Sequence, residues 1–160
     1  MKIKSKHEFK SCNPEQVWEK LMDIDLLGSI IADGRGLNQV GPNMYRGRLP
    51  VSLGPIRGNL RTTLKLKNLS RPKRFNLKVY GKWYDQRVSG KGTFTLSKNG
   101  CSTKVKYRGR LTIFMRGPLG VRIDHPGPMQ VMAQDHVERA INALFREIDS
   151  QCCEENGYAH

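Results

Sequence analysis

The sequence predicts an α+β fold in which a curved antiparallel sheet grips a long C-terminal helix. Three observations lead there. Apolar and polar residues alternate with a period of two from Leu37 to Arg116. From Met129 onward the apolar residues recur at helical spacing instead. Between a first strand and the alternating region lie two short helical stretches. A chain of 160 residues is of one-domain size. The domain is expected over residues 1–153, with 154–160 as a flexible tail.

The first strand is read from Ile3, Ser5, His7 and Phe9, which alternate with Lys2, Lys4, Lys6, Glu8 and Lys10. Asn13 then offers an N-cap and Pro14 a first helical position. Val17, Trp18, Leu21 and Met22 follow at helical spacing. Leu26, Leu27, Ile30 and Ile31 form a second short apolar piece that ends at Asp33-Gly34-Arg35-Gly36. In the alternating region the apolar set begins with Tyr45, Gly47, Leu49, Val51 and Leu53. It continues through Leu60, Thr62, Leu64 and Leu66, then Phe75, Leu77, Val79 and Gly81. Gly90, Gly92, Phe94 and Leu96 lead to a hairpin signal at Lys98-Asn99-Gly100. Thr103, Val105, Tyr107, Gly109, Leu111, Ile113 and Met115 close the series. Residues 117–128 read as a loop. The last helix carries Met132, Ala133, His136, Val137, Ala140, Ile141, Leu144, Phe145 and Ile148 on one stripe and is expected to stop near Gln151.

A sheet with one apolar face requires a cover, which the last helix supplies. Glycines on the inner face (Gly47, Gly81, Gly90, Gly92, Gly109) are expected to let the sheet bend and to leave space above it. The predicted result is a cavity for an apolar ligand, with a mouth framed by residues 26–36 and by His125-Pro-Gly-Pro128. Its expected lining is Trp18, Leu27, Ile31, Tyr45, Leu53, Thr62, Leu64, Phe75, Val79, Phe94, Tyr107, Ile113, Met132, Ile141 and Phe145. Tyr45, Thr62 and Tyr107 would be its polar anchors. Each of these residues also suits a plain hydrophobic core.

Net charge is +14, from 28 Lys and Arg against 14 Asp and Glu. The cations alternate with the apolar set, so Arg46, Arg48, Arg61, Lys65, Lys78, Lys104, Lys106, Arg108 and Arg110 should share the outer face. Lys67, Arg74 and Lys82 belong there too. Such a face is either simply solvated or a docking surface for anionic lipid or an acidic protein. Nucleic acid ranks below these partners, because no RNA-binding signature is present, although Tyr80, Tyr84 and Phe114 are placed to stack on bases.

Other chemistry finds little support. His7, His125, His136 and His160 have no metal-ligand spacing, and no cofactor is implied. No Ser or Cys stands in a nucleophile-elbow context, and the predicted inner face of the sheet holds no Asp or Glu. A binding protein is therefore expected rather than an enzyme, with no catalytic residue assigned. A cyclase-like activity using His136 or Tyr107 is the enzymatic alternative. Cys12, Cys101, Cys152 and Cys153 are expected as free thiols. No segment approaches the ~20 apolar residues of a spanning helix. Met1-Lys-Ile-Lys enters the alternation directly, without a leader-like apolar run. The expected location is the cytoplasm, either free or peripheral to the membrane.

Several segments resemble a known family. They are Pro14-Glu-Gln-Val-Trp18 after the first strand, Val40-Gly-Pro-Asn-Met-Tyr45, Val51-Ser-Leu-Gly-Pro-Ile-Arg-Gly58, Gly90-Lys-Gly-Thr-Phe-Thr-Leu96 and Ser102-Thr-Lys-Val-Lys-Tyr107. The first is shared by the START and Bet v 1-like (SRPBCC) superfamily, whose fold is the helix grip. The Gly-Pro-Ile-Arg-Gly segment is the most specific and resembles the CoxG-like family of carbon monoxide dehydrogenase subunits. The resemblance implies a non-catalytic carrier of a lipid- or quinone-like molecule, accessory to a membrane-associated redox enzyme such as carbon monoxide dehydrogenase. Two segments depart from the family pattern: Ile31-Ala-Asp-Gly34 after the second helix, and Arg122 to Pro128 before the last.

Overall fold

The computed structural model describes residues 2–31, 37–53, 56–84, 86–116, 122–124 and 127–155. Strand β1 (Lys2–Phe9) leads into helices α1 (Pro14–Leu21) and α2 (Ile24–Ile31). Then come β2 (Leu37–Gly41), β3 (Met44–Leu53), β4 (Ile56–Ser70), β5 (Arg74–Trp83), β6 (Gln86–Asn99) and β7 (Ser102–Arg116). Short β8 (Arg122–Asp124) and long α3 (Gly127–Glu155) complete the order. The strands form one antiparallel sheet in the order β1-β7-β6-β5-β4-β3-β2, with β8 paired to β7. This is the expected meander, closed at one edge by the return of β1.

Local chemistry sets the boundaries. Asn13 caps α1 through Oδ1, which accepts from the Gln16 amide at 2.9 Å, while Gln16 Oε1 accepts from the Asn13 amide at 3.0 Å. This reciprocal pair satisfies two amides that a helix start leaves open. Asp23 Oδ1 serves α2 in the same way, accepting from the amides of Asp25 and Leu26. Asn43 turns the chain between β2 and β3 with φ 55°, and Gly100 turns it between β6 and β7 with φ 62°.

The expected alternation becomes a register. Tyr45 faces Leu64, Leu64 faces Val79, Val79 faces Gly90 and Gly90 faces Leu111. Phe75 faces Phe94, Phe94 faces Tyr107 and Tyr107 faces Ser5. Each apolar row thus runs across the sheet on the face toward α3.

Four expectations are corrected. Leu37–Gly41 is a separate strand, and three residues of the expected loop pair with β7 as β8. Helix α3 starts at Gly127 and runs past Gln151 to Glu155. Cys12 and Cys152 form a disulfide, with Cα atoms 5.5 Å apart, while Cys101 and Cys153 are free. Sequence distance concealed that pair, since 140 residues separate two side chains that the fold buries together. Finally, Gly81, Gly90, Gly92 and Gly109 do not leave empty space. The Tyr107 ring lies back over Gly92 and Gly109, and the Leu60 side chain lies over Gly81, each where a Cβ would collide with it. The expected turns at residues 33–36 and 54–55, His125-Pro126, residues 117–120 and the tail from 156 lie outside the described residues.

The glycine rows make a direct test. Gly109→Ala should destabilise the protein by about 1–3 kcal/mol, because the added methyl meets both the Tyr107 ring and the Lys91 carbonyl. Chemical denaturation would measure this; unchanged stability would mean that Tyr107 can move aside freely.

Candidate functional site

The apolar interior divides into two regions. At one end an aromatic series is closed. Trp18 meets Phe75 edge-on at 5.5 Å, Phe75 stacks on Phe94 at 4.8 Å, and Phe94 meets Tyr107 at 4.6 Å. All four are buried. Helix α3 is fastened near this end by three contacts to β1 and the turn after it. His7 Nε2 lies 2.6 Å from Asp149 Oδ2, the Phe9 and Phe145 rings meet edge-on at 5.5 Å, and Cys12 bonds to Cys152. Phe9, Phe145 and Ile148 are fully enclosed.

Toward the N-terminal half of α3 the covering is thinner. Leu27 and Ile30 of α2, Tyr45 and Leu49 of β3, Val79 of β5, and Val137 and Ile141 of α3 are only half-buried. Helix α3 touches both α2 and β3, so these three elements meet. Met132 and Val131 near its start are 40% and 62% exposed.

The expected lining therefore separates. Trp18, Thr62, Leu64, Phe75, Phe94, Tyr107, Ile113 and Phe145 are buried in the core. Leu27, Tyr45, Val79 and Ile141 have apolar surface left uncovered, and Met132 is exposed. The side chains of Ile31 and Leu53 lie outside the described residues. Among the expected anchors, Thr62 Oγ1 already donates to the Leu60 carbonyl at 3.0 Å. Burial raises the Tyr107 pKa above its ordinary 10.0, so its phenol is held neutral. Tyr45 remains partly open.

His136 is at the rim of the stripe and partly exposed. Enclosure of its ring, and then the charge of Arg139, lower its pKa. Asp149 is the acidic group that period-two reasoning could not find, because it reaches inner-face His7 from α3 and not from the sheet. Among the described residues, no group of three or more His, Cys, Asp or Glu is placed to hold a metal ion.

The outer face is as ordered as the inner one. Arg46, Arg48, Arg61, Lys65, Lys78, Lys104, Lys106, Arg108 and Arg110 all lie at outward positions, all but half-buried Lys65 exposed. The register adds Lys2, Lys4, Lys6, Arg87 and Lys91 to this face. Lys2, Lys4 and Lys6 were legible as alternating residues, but only strand order shows that they join the same surface as Arg87 and Lys91.

Sheet order, the two short helices and the C-terminal helix together define the helix-grip fold. Solved structures share the fold. A conserved protein from Geobacillus kaustophilus aligns at 20% identity over 96% of each chain, with a TM-score of 0.78. A protein from Rhizobium leguminosarum aligns at 11% identity over 94% of this chain and 95% of its own, with a TM-score of 0.68. Ara h 8.0201, a Bet v 1-like protein, aligns at 11% identity over 96% and 98%, with a TM-score of 0.64. No curated protein matches the chain in sequence. The model of the CoxG family of carbon monoxide dehydrogenase subunits matches residues 10–153, and the chain belongs to that family.

Tyr107 gives a pH test of the closed region. Its raised pKa means that the neutral phenol stabilises the fold fully below pH 10.0, and that this contribution is lost as pH rises through the raised value. Denaturant unfolding at about pH 8 and about pH 11 should show a larger alkaline loss in the native protein than in Tyr107→Phe. Equal losses would place the phenol in contact with water.

Proposed function

We propose that this protein is a non-catalytic carrier whose apolar ligand, lipid-like or quinone-like, binds between α2, β3 and the N-terminal half of α3. One observation carries the reading: Leu27, Ile30, Val137 and Ile141 pack at the edge of the buried core where α3 touches α2 and β3, and all four keep part of their surface uncovered. A fold that encloses Phe9, Phe145 and Ile148 completely has the means to close an interior. Half-covered apolar surface at the other end is the kind of surface that a ligand completes.

Family membership supports a binding role and a role accessory to a redox enzyme of the carbon monoxide dehydrogenase type. Cyclase-like chemistry has weaker support. Tyr107 is buried, and His136 stands at the rim without an acidic partner among its described interactions. Met132 and Val131 provide flexible and apolar surface at the entrance side of α3.

A titration with an environment-sensitive hydrophobic dye tests the site, with a short-chain quinone as competitor. The native protein should bind one dye per chain and release it to the competitor. Ile141→Trp, which fills the space, should weaken dye binding at least tenfold, whereas Leu69→Ala, an exposed apolar residue at the end of β4, should leave it unchanged. No dye binding, or equal binding by Ile141→Trp, would refute the proposal.

A further inference from the structure

The structure assigns a second binding surface to the outer face of the sheet: we propose that it binds single-stranded nucleic acid, with phosphates along its cationic rows and a base stacked on Tyr80. This inference does not depend on the carrier reading, since the two surfaces lie on opposite faces.

The register builds the rows. Lys65 faces Lys78, Lys78 faces Lys91, Lys91 faces Arg110 and Arg110 faces Lys2, so five cations stand directly opposite one another across five strands. At about 4.8 Å between strands this row spans roughly 19 Å. In the next row Lys67 faces Asn76, Asn76 faces Thr93, Thr93 faces Arg108 and Arg108 faces Lys4. A third row sets Arg48 opposite Arg61, Arg61 opposite Lys82 and Lys82 opposite Arg87. Like charges directly opposite on a sheet destabilise it. Among the described residues, no ion pair relieves these rows.

The first two rows enclose a groove of about 810 Å³. Short Asn76 and Thr93 lie on its floor between the longer cations, and Thr93 Oγ1 donates to Asn76 Oδ1 at 3.0 Å. That bond engages the amide oxygen, so the NH₂ group is the end of Asn76 that still has donors to offer. The Lys67 pKa is lowered, first by its hydrogen bond to Lys78 and then by the charges of Lys78 and Lys65. A bound anion would relieve this crowding.

An aromatic platform separates the groove from the third row. Tyr80 is 59% exposed and alternates along β5 with Lys78 and Lys82. Outward neighbours on one strand repeat every ~6.8 Å, a spacing that an extended polynucleotide can follow. A cationic track with an interleaved stacking residue is the chemistry that single strands require. The sequence alone ranks nucleic acid below lipid and acidic protein. The register reverses that order, because it joins the separate cations into rows around Tyr80. A bilayer fits this face less well: docking there would turn the half-covered apolar region away from the membrane.

Fluorescence anisotropy with a labelled oligo(dT) 12-mer tests the proposal, with vesicles of phosphatidylglycerol and phosphatidylcholine as the competing surface. Four phosphate contacts predict a loss of affinity of roughly 50-fold between 50 and 200 mM salt. Lys91→Glu should weaken binding tenfold or more. Lys10→Glu, the same charge change outside the rows, should weaken it less than threefold. Tyr80→Ala should cost at least fivefold. The proposal is overturned if the oligonucleotide fails to bind at 50 mM salt, whether or not the vesicles do. It also falls if Tyr80→Ala binds as the native protein does, or if the two charge reversals are equivalent.

Discussion

Cross-strand register is the constraint on which the rest of this structure depends. Six strands, β1 and β3 to β7, alternate side chains between two faces, and pairing sends apolar residues to one face and cations to the other. A one-residue slip of β5 would carry Lys78, Tyr80 and Lys82 inward and place Phe75, Leu77 and Val79 in water. Such a slip would bury charges without partners, which is far costlier than exposing a few apolar groups. The cations thus help to select the register even while their mutual repulsion opposes the sheet.

A sheet so divided needs a cover on one side only, and the manner of covering creates the asymmetry of the interior. Near its C-terminal end α3 is held by aromatic packing, by the His7–Asp149 contact and by the Cys12–Cys152 bond. Those contacts concentrate in its last turns, close to β1. Farther back, Val137 and Ile141 are half-buried, and Val131 and Met132 are exposed. Ala133 in this half is fully enclosed, so the thinner covering is confined to the flanks of the helix.

The sequence revealed the parts of this arrangement that are periodic. Alternation at Phe75, Leu77 and Val79, the Asn13–Pro14 helix start and the Gly100 turn are local, and each was readable from a few neighbours. What remained hidden depends on contacts between distant segments. Cys12 and Cys152 are 140 positions apart. Asp149 meets His7 only because α3 crosses β1. The inner glycines were correctly placed on the inner face, but their spacing could not show that Tyr107 folds back along its own strand and occupies the room above Gly92 and Gly109. Pocket residues were therefore harder to identify than strands, since a buried aromatic and a ligand-facing one have the same periodicity.

The two faces also differ in how their chemistry can be completed. On the inner face, uncovered apolar surface is a deficit that closure of α3 or a bound apolar molecule removes. On the outer face, the deficit is unpaired positive charge in rows that no neighbouring carboxylate neutralises among the described residues. Water and mobile counterions screen that charge, and a polyanion replaces them with release of those ions. One register thus produces two unsatisfied surfaces of opposite chemistry on either side of a single layer of backbone. On β5 the two chemistries are adjacent in sequence, with Val79 on the apolar face while Lys78 and Tyr80 face the groove and its rim.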